Sequence, residues 1–212
     1  MIDLTQLRKD YSKSGLNEAE LHADPIQQFQ RWLDEALAAK LVEPYAMTLA
    51  TVTPDGRPTA RIVLLRSVDQ TGFQCFTNYK SHKGQDIQKN AQAALLFYWA
   101  ELERQIRVEG TITRTDDATS DSYFAHRPRP SQIAAVASAQ SEVIADRTVL
   151  EKRVAELTTD LEGKPVPRPQ HWGGYTLKPT SLEFWQGRPS RLHDRLRYRL
   201  DQNRWIIERL SP

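Results

Sequence analysis

The chain of 212 residues is poor in cysteine, in long apolar stretches and in excess charge of either sign. Its one cysteine, Cys75, excludes a disulfide within the chain and a metal site built from several cysteines. No apolar run approaches the roughly 20 residues that a membrane helix requires. The 29 basic and 27 acidic side chains leave a net charge of +2, too balanced to favour non-specific nucleic-acid binding. Since no signal-peptide pattern follows Met1, we expect a cytoplasmic protein without nucleic-acid or membrane partners.

Several catalytic motifs are missing as well. The sequence contains no His-x-x-x-His or Cys-x-x-Cys pair, no Gly-x-Ser-x-Gly elbow, no phosphate loop ending in Gly-Lys and no dinucleotide fingerprint. These absences argue against a zinc site, an α/β-hydrolase and the common nucleotide-binding folds. We therefore expect no bound metal.

What is present is a succession of strand patterns with helices inserted late. Asp24 and Pro25 begin a predicted helix with one apolar stripe: Phe29, Trp32, Leu33, Ala36, Leu37 and Leu41. Strands are predicted over 46–52, 59–68, 73–77, 93–99, 105–112, 175–185, 194–200 and 204–210, and further helices over 81–90, 118–126 and 141–161. Hairpins of this kind favour an antiparallel barrel or sandwich with helices outside, rather than a parallel doubly wound sheet.

Charged residues concentrate between Phe184 and Arg195, where the sequence predicts a strand, a turn and a second strand. Alternation in the second strand would place Arg191, His193 and Arg195 on one face. Two guanidiniums beside an imidazole suit a phosphorylated ligand that needs a group able to move a proton. The alternative is a solvated edge strand whose charges face water.

Arg61 and Arg66 bracket four aliphatic residues of a predicted strand. The two positions have opposite parity, so their side chains would leave opposite faces of a regular strand unless a bulge intervenes. Either the two cations hold anions at the ends of the strand, or they merely flank a core segment.

Two further segments are candidate anion sites. Residues 77–83 join a strand to a helix start and offer hydroxyls, free backbone N–H groups and Lys83. Residues 123–132 carry Tyr123, Arg127 and Ser131, with two prolines that stiffen the backbone; this segment could equally be a rigid surface corner. Together the segments suggest two phosphorylated small molecules, one of them a cofactor.

These segments, taken in order, resemble the pyridoxine (pyridoxamine) 5′-phosphate oxidases. The resemblance runs from about Arg8 to Pro212, and Phe-Trp-Gln-Gly followed by Arg-Leu-His-Asp-Arg is its most specific part. It implies a mainly β chain with added helices (α+β), folded as an antiparallel Greek-key split β-barrel that binds FMN and has peripheral helices. It also implies a homodimer with FMN at the subunit interface, a flexible arm or lid over 1–23 and a single domain over 24–212.

The resemblance also assigns roles to residues. Implied FMN-binding residues are Arg61, Ile62, Val63, Leu64, Leu65, Arg66, Phe76, Thr77, Ser81, His82, Lys83, Gln105, Gln140, Ser141, Trp185 and Arg195. Implied substrate-binding residues are Arg8, Lys9, Asp10, Tyr11, Arg66, Tyr123, Arg127, Ser131, Arg191, Leu192 and His193. Arg191 and His193 would be the catalytic pair, lying against the pyridine ring at the reacting carbon.

The implied reaction is FMN-dependent oxidation of pyridoxamine or pyridoxine 5′-phosphate to pyridoxal 5′-phosphate by O2, with H2O2 released. Two alternatives remain: another flavin oxidoreductase of the split-barrel type, and a non-catalytic carrier of pyridoxal phosphate or FMN. Four positions depart from the family's usual residues, with Glu43 for Asp, Arg66 for Lys, His82 for Arg and Phe76 for Tyr. The last two put FMN affinity in question, because each changes or deletes a polar contact.

Overall fold

The computed structural model describes residues 2–5 and 10–212, and within them it contains nine strands and five helices. The strands are β1 (Ala46–Val52), β2 (Pro58–Leu64), β3 (Ser67–Asp69), β4 (Gly72–Asn78), β5 (Gln92–Trp99), β6 (Arg104–Arg114), β7 (Trp172–Gln186), β8 (Asp194–Asp201) and β9 (Arg204–Arg209). The helices are α1 (Pro25–Ala38), α2 (His82–Lys89), α3 (Asp117–Ala125), α4 (Arg129–Ala137) and α5 (Arg147–Asp160). None of these five helices has the length and apolar character needed to cross a bilayer.

The strands form one antiparallel sheet in the order β2-β1-β5-β6-β7-β4-β3, with β8 beside β7 and β9 beside β8. Strand β7 has 15 residues and pairs with β6 from Tyr175 to Gln186, with one irregularity opposite Glu109 and Gly110. Residues 172–177 of β7 also pair with β4, whereas residues 181–186 pair with β8. The sheet therefore divides into two branches at β7, which confirms the predicted antiparallel barrel-like sheet with added helices.

Helix α1 closes one side of the core. The Asp24 side chain accepts a hydrogen bond from the Ile26 N–H, as the capping pattern predicts. Phe29 is fully buried and packs edge-on against Phe73 and Phe97, with ring centroids 4.8 and 5.0 Å away. The predicted stripe is wrong at Leu37, which is 50% exposed. Eight positions after Phe29, Leu37 lies about 80° around the helix, at the edge of the buried face.

The single strand predicted over 59–68 is wrong, because the chain changes partner at Leu65 and Arg66. Strand β2 pairs with β1 only as far as Leu64, and β3 begins at Ser67 beside β4. Between them the Leu65 N–H donates to the Tyr45 carbonyl (2.9 Å), and the Arg66 N–H donates to the Gln74 carbonyl (2.8 Å). The backbone therefore bends from one branch of the sheet to the other at this point.

Two of the helices differ from the predictions, one where no helix was predicted and one at its start. Residues 129–137 form α4, although two prolines had suggested a rigid corner; Pro130 lies in the first turn, where a missing N–H costs nothing. The helix predicted from Ser141 begins only at Arg147. Ser141 has a left-handed backbone (φ 77°), which an α-helix does not tolerate, and Asp146 caps the helix by accepting from Thr148 and Val149.

The predicted alternation of Arg191, His193 and Arg195 along one strand is wrong as well. Strand β8 starts at Asp194, and the residues before it form a turn. Ser190 and Arg191 both have positive φ angles, 56° and 61°. A strand cannot contain two such residues, so only Arg195 follows the strand period.

Replacing Phe29 with alanine should lower the free energy of unfolding by about 3–5 kcal/mol, because it removes a fully buried ring and leaves a cavity. Leu37→Ala, on the same helix but half exposed, should cost no more than about 1 kcal/mol. Urea denaturation followed by circular dichroism measures both losses. Equal losses for the two variants would contradict this assignment of the core face.

Candidate active site

A cavity of about 360 Å³ opens where strands β2 and β4 meet helices α2 and α3. The residues around it are Arg61, Ile62, Val63, Leu64, Arg66, Phe76, Thr77, Lys83, Tyr123, Arg127, Gln140 and Trp172. All of them except Trp172 belong to the predicted FMN-binding and substrate-binding sets. The structure thus brings together, from segments far apart in sequence, four cations and three aromatic rings.

Arg61 and Arg66 reach the same cavity because the chain bends between them. A regular strand would have sent their side chains to opposite faces. The exchange of strand partners at Leu65 and Arg66 breaks that alternation. This bend, rather than a β-bulge, brings the Arg61 and Arg66 side chains to the same cavity.

The Arg61 guanidinium is held by a buried polar cluster behind the cavity wall. Its Nη1 donates to Thr51 Oγ1 (2.8 Å) and to the Leu49 carbonyl (3.0 Å), and its Nη2 donates to Thr59 Oγ1 (2.7 Å). Both threonine hydroxyls also donate to Asp86 Oδ2, which lies 3.9 Å from the guanidinium. Because its rotamer is fixed before any ligand binds, Arg61 is well prepared to meet an anion.

Lys83 lies in the first turn of α2 and is 9% exposed. Its Nζ donates to Thr77 Oγ1 (3.2 Å), Ser81 Oγ (3.2 Å) and Gln140 Oε1 (2.7 Å), and none of these groups carries a charge. Burial, and then the nearby charge of Arg61, lower the pKa of Lys83. Two neighbouring cations and a helix N-terminus make this end of the cavity a strong site for a dianion.

Three parallel aromatic rings form a wall of the cavity. The Phe76 ring stacks on Tyr123 at 3.9 Å and lies 5.8 Å from Trp172, with the planes within 16°. A glycine behind the wall is required at position 174. A Cβ there would lie 2.4 Å from Thr115 Oγ1 and 2.9 Å from the Phe76 ring. The wall offers a flat apolar surface suited to a planar heterocycle.

Arg127 lies over the Trp172 ring, with its guanidinium carbon 4.5 Å from the ring centroid. Its Nη1 is buried and has no hydrogen-bond partner among the described residues. Burial lowers the pKa of Arg127, and the charge of Arg66 lowers it further. A buried N–H without a partner is costly, and a phosphate oxygen would satisfy it.

Some predicted residues lie near the cavity without lining it. Leu65 is a core residue, 5% exposed. Ser81 is buried, caps α2 and acts through its contact with Lys83. The His82 backbone N–H donates to Ser141 Oγ (3.3 Å) while the His82 side chain is exposed, and Ser131 is half-buried at the start of α4.

A second group of predicted residues forms a row across the other branch of the sheet. Gln105 on β6 lies opposite Trp185 on β7, and Trp185 lies opposite Arg195 on β8. Residues paired in this way present their side chains on one face. The Arg195 guanidinium is bound to Glu183 at 2.8 and 3.1 Å, and this contact raises the pKa of Arg195.

The loop before β8 completes this row. The His193 ring lies 4.7 Å from the Trp185 ring, and its Nδ1 accepts a hydrogen bond from the Arg188 N–H (3.1 Å). Arg191 and Leu192 are exposed in the same loop. Asp10 is also exposed, whereas the Tyr11 ring lies edge-on to Trp185 and His193. The predicted residues Arg8 and Lys9 lie outside the described residues.

A single chain does not join the row to the cavity. The described residues that line the cavity do not include the row, which consists of Gln105, Trp185 and Arg195. They also do not include Arg191 and His193 of the loop. Trp172 is the first residue of the 15-residue strand β7, and Trp185 is the last but one. The path along the strand between them is roughly 40 Å long, which is far longer than one pyridine nucleus or one flavin ring system.

The sequence matches two family models. Residues 33–161 match the model described as pyridoxamine 5′-phosphate oxidase, and residues 172–212 match the pyridoxine 5′-phosphate oxidase C-terminal dimerisation region. The chain belongs to the pyridoxine/pyridoxamine 5′-phosphate oxidase family. The resemblance inferred from the motifs is thereby confirmed.

Relatives named pyridoxine/pyridoxamine 5′-phosphate oxidase match over the whole chain. The protein from Cupriavidus metallidurans is 56% identical over 213 residues, covering 100% of both chains, and that from Cyanothece sp. is 53% identical over 211 residues, covering 100% of this chain and 99% of the relative. PhzG from Burkholderia lata, solved with tetrahydrophenazine-1-carboxylic acid, is 34% identical with a TM-score of 0.90, covering 96% of this chain and 100% of PhzG. An FMN-binding relative from Nostoc punctiforme (19% identity, TM-score 0.70, 87% and 97% covered) shares the fold.

The residues present fit the family's cofactor, FMN. The paired cations Arg61 and Lys83 suit a phosphate dianion, and the hydroxyl oxygens of Thr77 and Ser81 hold Lys83 by accepting hydrogen bonds from its Nζ. The absence of a hydroxyl at Phe76 leaves the ring stack intact. Position 82 offers no guanidinium, and the His82 backbone N–H donates to Ser141 Oγ, so Arg61 and Lys83 supply the charge that meets the phosphate.

Sequence reasoning missed the residues that support the site from behind. Thr51, Thr59 and Asp86 hold Arg61, and Glu183 holds Arg195. They come from separate strands and a helix, and no local pattern connects them. Thr51, Asp86 and Glu183 stand out only because they are polar and buried, and burial is a property of the folded chain.

The lowered pKa of Lys83 predicts how FMN binding depends on pH. A phosphate dianion binds the protonated amine, so affinity should fall as pH rises through the pKa of Lys83 in the flavin-free protein. Because burial and Arg61 lower that pKa below the ordinary 10.5, the fall should begin at a lower pH than an ordinary lysine would give. Quenching of FMN fluorescence from neutral to alkaline pH measures it.

Lys83→Arg is the matched control, because arginine keeps its charge throughout this range. Its FMN affinity should hold to higher pH than that of the wild type. Riboflavin, which lacks the phosphate, should bind both proteins without this dependence. Identical pH profiles for FMN binding to the wild type and Lys83→Arg would contradict the assignment of Lys83.

Proposed function

We propose that this protein oxidises pyridoxamine 5′-phosphate, pyridoxine 5′-phosphate or both to pyridoxal 5′-phosphate, with FMN as cofactor and O2 as electron acceptor. One observation carries the proposal. A single cavity holds two pairs of cations, Arg61 with Lys83 and Arg66 with Arg127, beside a wall of parallel aromatic rings. This arrangement suits two phosphate esters whose flat rings lie together.

The proposed reactions balance without a further reductant or metal. The amine substrate, O2 and water give pyridoxal 5′-phosphate, ammonia and H2O2. The alcohol substrate and O2 give pyridoxal 5′-phosphate and H2O2. When bound, FMN supplies the acceptor for the hydride that leaves the substrate's 4′ carbon, and its reoxidation reduces O2.

The protein's contribution is positioning and charge. Arg66, Tyr123, Arg127 and Ser131 would hold the substrate phosphate, with the buried Nη1 of Arg127 as its best-prepared donor. Binding of the phosphate by these residues would fix the position of the pyridine ring and so hold its 4′ carbon for the reaction. Close stacking on the aromatic wall would also exclude water from that region.

A second copy of the chain would supply the remaining groups. The row Gln105–Trp185–Arg195 and the loop with Arg191 and His193 are separated from the cavity of their own chain by roughly 40 Å of β7. A twofold dimer would place the row of one protomer over the cavity of the other and so form two complete sites. The match of residues 172–212 to a dimerisation region supports this arrangement.

The hydrogen bond to His193 Nδ1 determines which ring nitrogen would face the substrate in such a site. Its Nδ1 accepts the Arg188 N–H, so the proton of the neutral imidazole sits on Nε2. His193 would therefore present an N–H donor to the substrate and could exchange that proton as the product forms. Arg191, exposed two residues earlier, would cover the ring face opposite the flavin.

The test begins with the absorption spectrum of the purified protein, which should show bound flavin or acquire it from added FMN. The holoenzyme should then consume O2 and form H2O2 and pyridoxal 5′-phosphate from either phosphorylated substrate. Pyridoxamine and pyridoxine without phosphate should be turned over at least about 100-fold less efficiently, because the second cation pair loses its ligand. Flavin binding without peroxide would instead indicate a carrier, and turnover of other substrates only would indicate another flavin oxidoreductase.

A variant in the cavity and a variant in the loop before β8 should lose different functions. Arg191→Ala should lower kcat/KM by about 100-fold or more while retaining FMN, because Arg191 would act on the substrate. Lys83→Ala should raise the Kd for FMN about tenfold or more, because it loses a charge-assisted contact to the phosphate. Steady-state kinetics and flavin titration separate the two defects. Undiminished FMN retention by Lys83→Ala would contradict the assignment of Lys83.

The same two variants test the shared site. When they are unfolded and refolded together, mixed dimers should contain one site with both defects and one intact site. Random pairing should then restore about a quarter of the wild-type sites, measured at low FMN. No recovery in the mixture would show that each chain carries its own complete site.

A further inference from the structure

The segment 11–16 lies against the end of β7 and the start of β8. The Leu16 N–H donates to Asp194 Oδ2 (3.1 Å), and the Leu16 carbonyl accepts from Arg209 (3.0 Å). Ser14 Oγ donates to the Gln186 side chain at 3.4 Å. At the other end of the segment, Tyr11 reaches Trp185 and His193. This part of the arm is therefore fastened beside the proposed catalytic loop.

The carboxylate of Glu103, in the turn between β5 and β6, also holds the segment 11–16 in place. Its Oε2 accepts the backbone N–H groups of Ser12 (3.0 Å) and Lys13 (3.1 Å), the two residues that follow Tyr11. Glu103 is only 3% exposed and has a left-handed backbone (φ 54°). A buried carboxylate in a strained backbone conformation is costly, and its partners in the described structure are these two amides.

Glu103 also ties the arm to the end of β7. Its backbone carbonyl accepts from the Gly187 N–H (2.7 Å) and from the fully buried Gln186 side chain (3.2 Å). Glu103 thus binds the arm through its side chain and the end of β7 through its backbone carbonyl. Any shift of this turn would move Tyr11 relative to Trp185 and His193.

Gly187 leaves the space that Tyr11 occupies. A Cβ on Gly187 would lie 2.7 Å from Tyr11 Cγ and 2.8 Å from Cδ1. The Tyr11 ring centroid lies 5.6 Å from the ring centroids of both Trp185 and His193, in edge-on contacts. The position of Tyr11 is therefore set on one side by a missing side chain and on the other by the backbone that Glu103 holds.

We infer that Glu103 is a positioning residue for the oxidase reaction: its carboxylate holds the backbone of residues 12 and 13 so that Tyr11 closes the substrate side of the site beside His193. This inference rests on the proposed function. Glu103 is not among the described residues that line the cavity, and it acts through the backbone that follows Tyr11. It should contribute to binding of the substrate and not to binding of FMN.

The first test compares Glu103→Ala with Glu101→Ala in FMN-loaded protein. Glu101 lies in the same turn but is exposed. Glu103→Ala should raise KM for pyridoxamine 5′-phosphate about tenfold, with kcat and the Kd for FMN within about twofold of wild type. Glu101→Ala should change none of the three. An unchanged KM in Glu103→Ala, or a parallel loss of FMN affinity, would overturn the inference.

A double-mutant cycle tests whether Glu103 acts through Tyr11. Tyr11→Ala should raise KM by a similar factor, and adding Glu103→Ala to it should raise KM by less than about twofold more. Independent, multiplicative effects would overturn the inference. If Glu103→Ala folds poorly, Glu103→Gln takes its place in the cycle, since a neutral amide oxygen accepts the same N–H groups more weakly and should raise KM less but in the same direction.

Limited trypsin digestion measures how firmly the arm is held, and it does not depend on enzyme activity. Lys13 is exposed and follows Tyr11 closely, and its backbone is held by Glu103. Cleavage after Lys13 should be at least about fivefold faster in Glu103→Ala than in wild type or Glu101→Ala, because cleavage requires local release of the backbone. Equal cleavage rates would overturn the inference even in an active enzyme. If the wild type did not oxidise either substrate, the proposed function would fail while this measurement still tested the role of Glu103.

Discussion

The rise of a β-strand, about 3.3 Å per residue, is the constraint on which the rest of this structure depends. Strand β7 has 15 residues and belongs to both branches of the sheet. Its first half supports the cavity through Trp172 and the two glycines that follow, whereas its second half supports Trp185 and the row beside it. One rigid element thus carries both parts of the candidate site and keeps them apart, which is why we propose a shared site between two chains.

Within each part, buried polar groups prepare the cations for their ligands. Asp86 and two threonines orient Arg61, uncharged acceptors surround Lys83, and Glu183 holds Arg195. Burial lowers the pKa of Arg61, although the nearby Asp86 carboxylate opposes this effect. Burial also lowers the pKa of Lys83, and repulsion from Arg61 lowers it further. A phosphate dianion would relieve that repulsion, so the electrostatics of the cavity and its proposed ligands agree. Glu103 extends the same principle to the arm by fixing a backbone segment rather than a cation.

The strongest family signals were local in sequence, and they named all but one of the residues that line the cavity. Motifs such as Thr77 to Lys83 survive as contiguous units because a strand end, a cap and a helix start are neighbours along the chain. The failures came where the backbone departs from its regular period. Leu65 and Arg66 change strand partner, and Ser190 and Arg191 take left-handed conformations. Periodicity cannot foresee such breaks, because long-range pairing and turn strain produce them.

By itself the sequence determined the family, the antiparallel class, the capped helices and the list of cationic and aromatic residues that could meet two phosphate esters. These follow from local spacing, capping chemistry and composition. Only the tertiary structure decided that Arg61 and Arg66 face one cavity, that Gln105, Trp185 and Arg195 form a row elsewhere, and that Glu103 binds the arm. Each of these depends on strand register and on contacts between residues distant in the chain, and such contacts are set by how the whole sheet packs rather than by any short stretch of sequence.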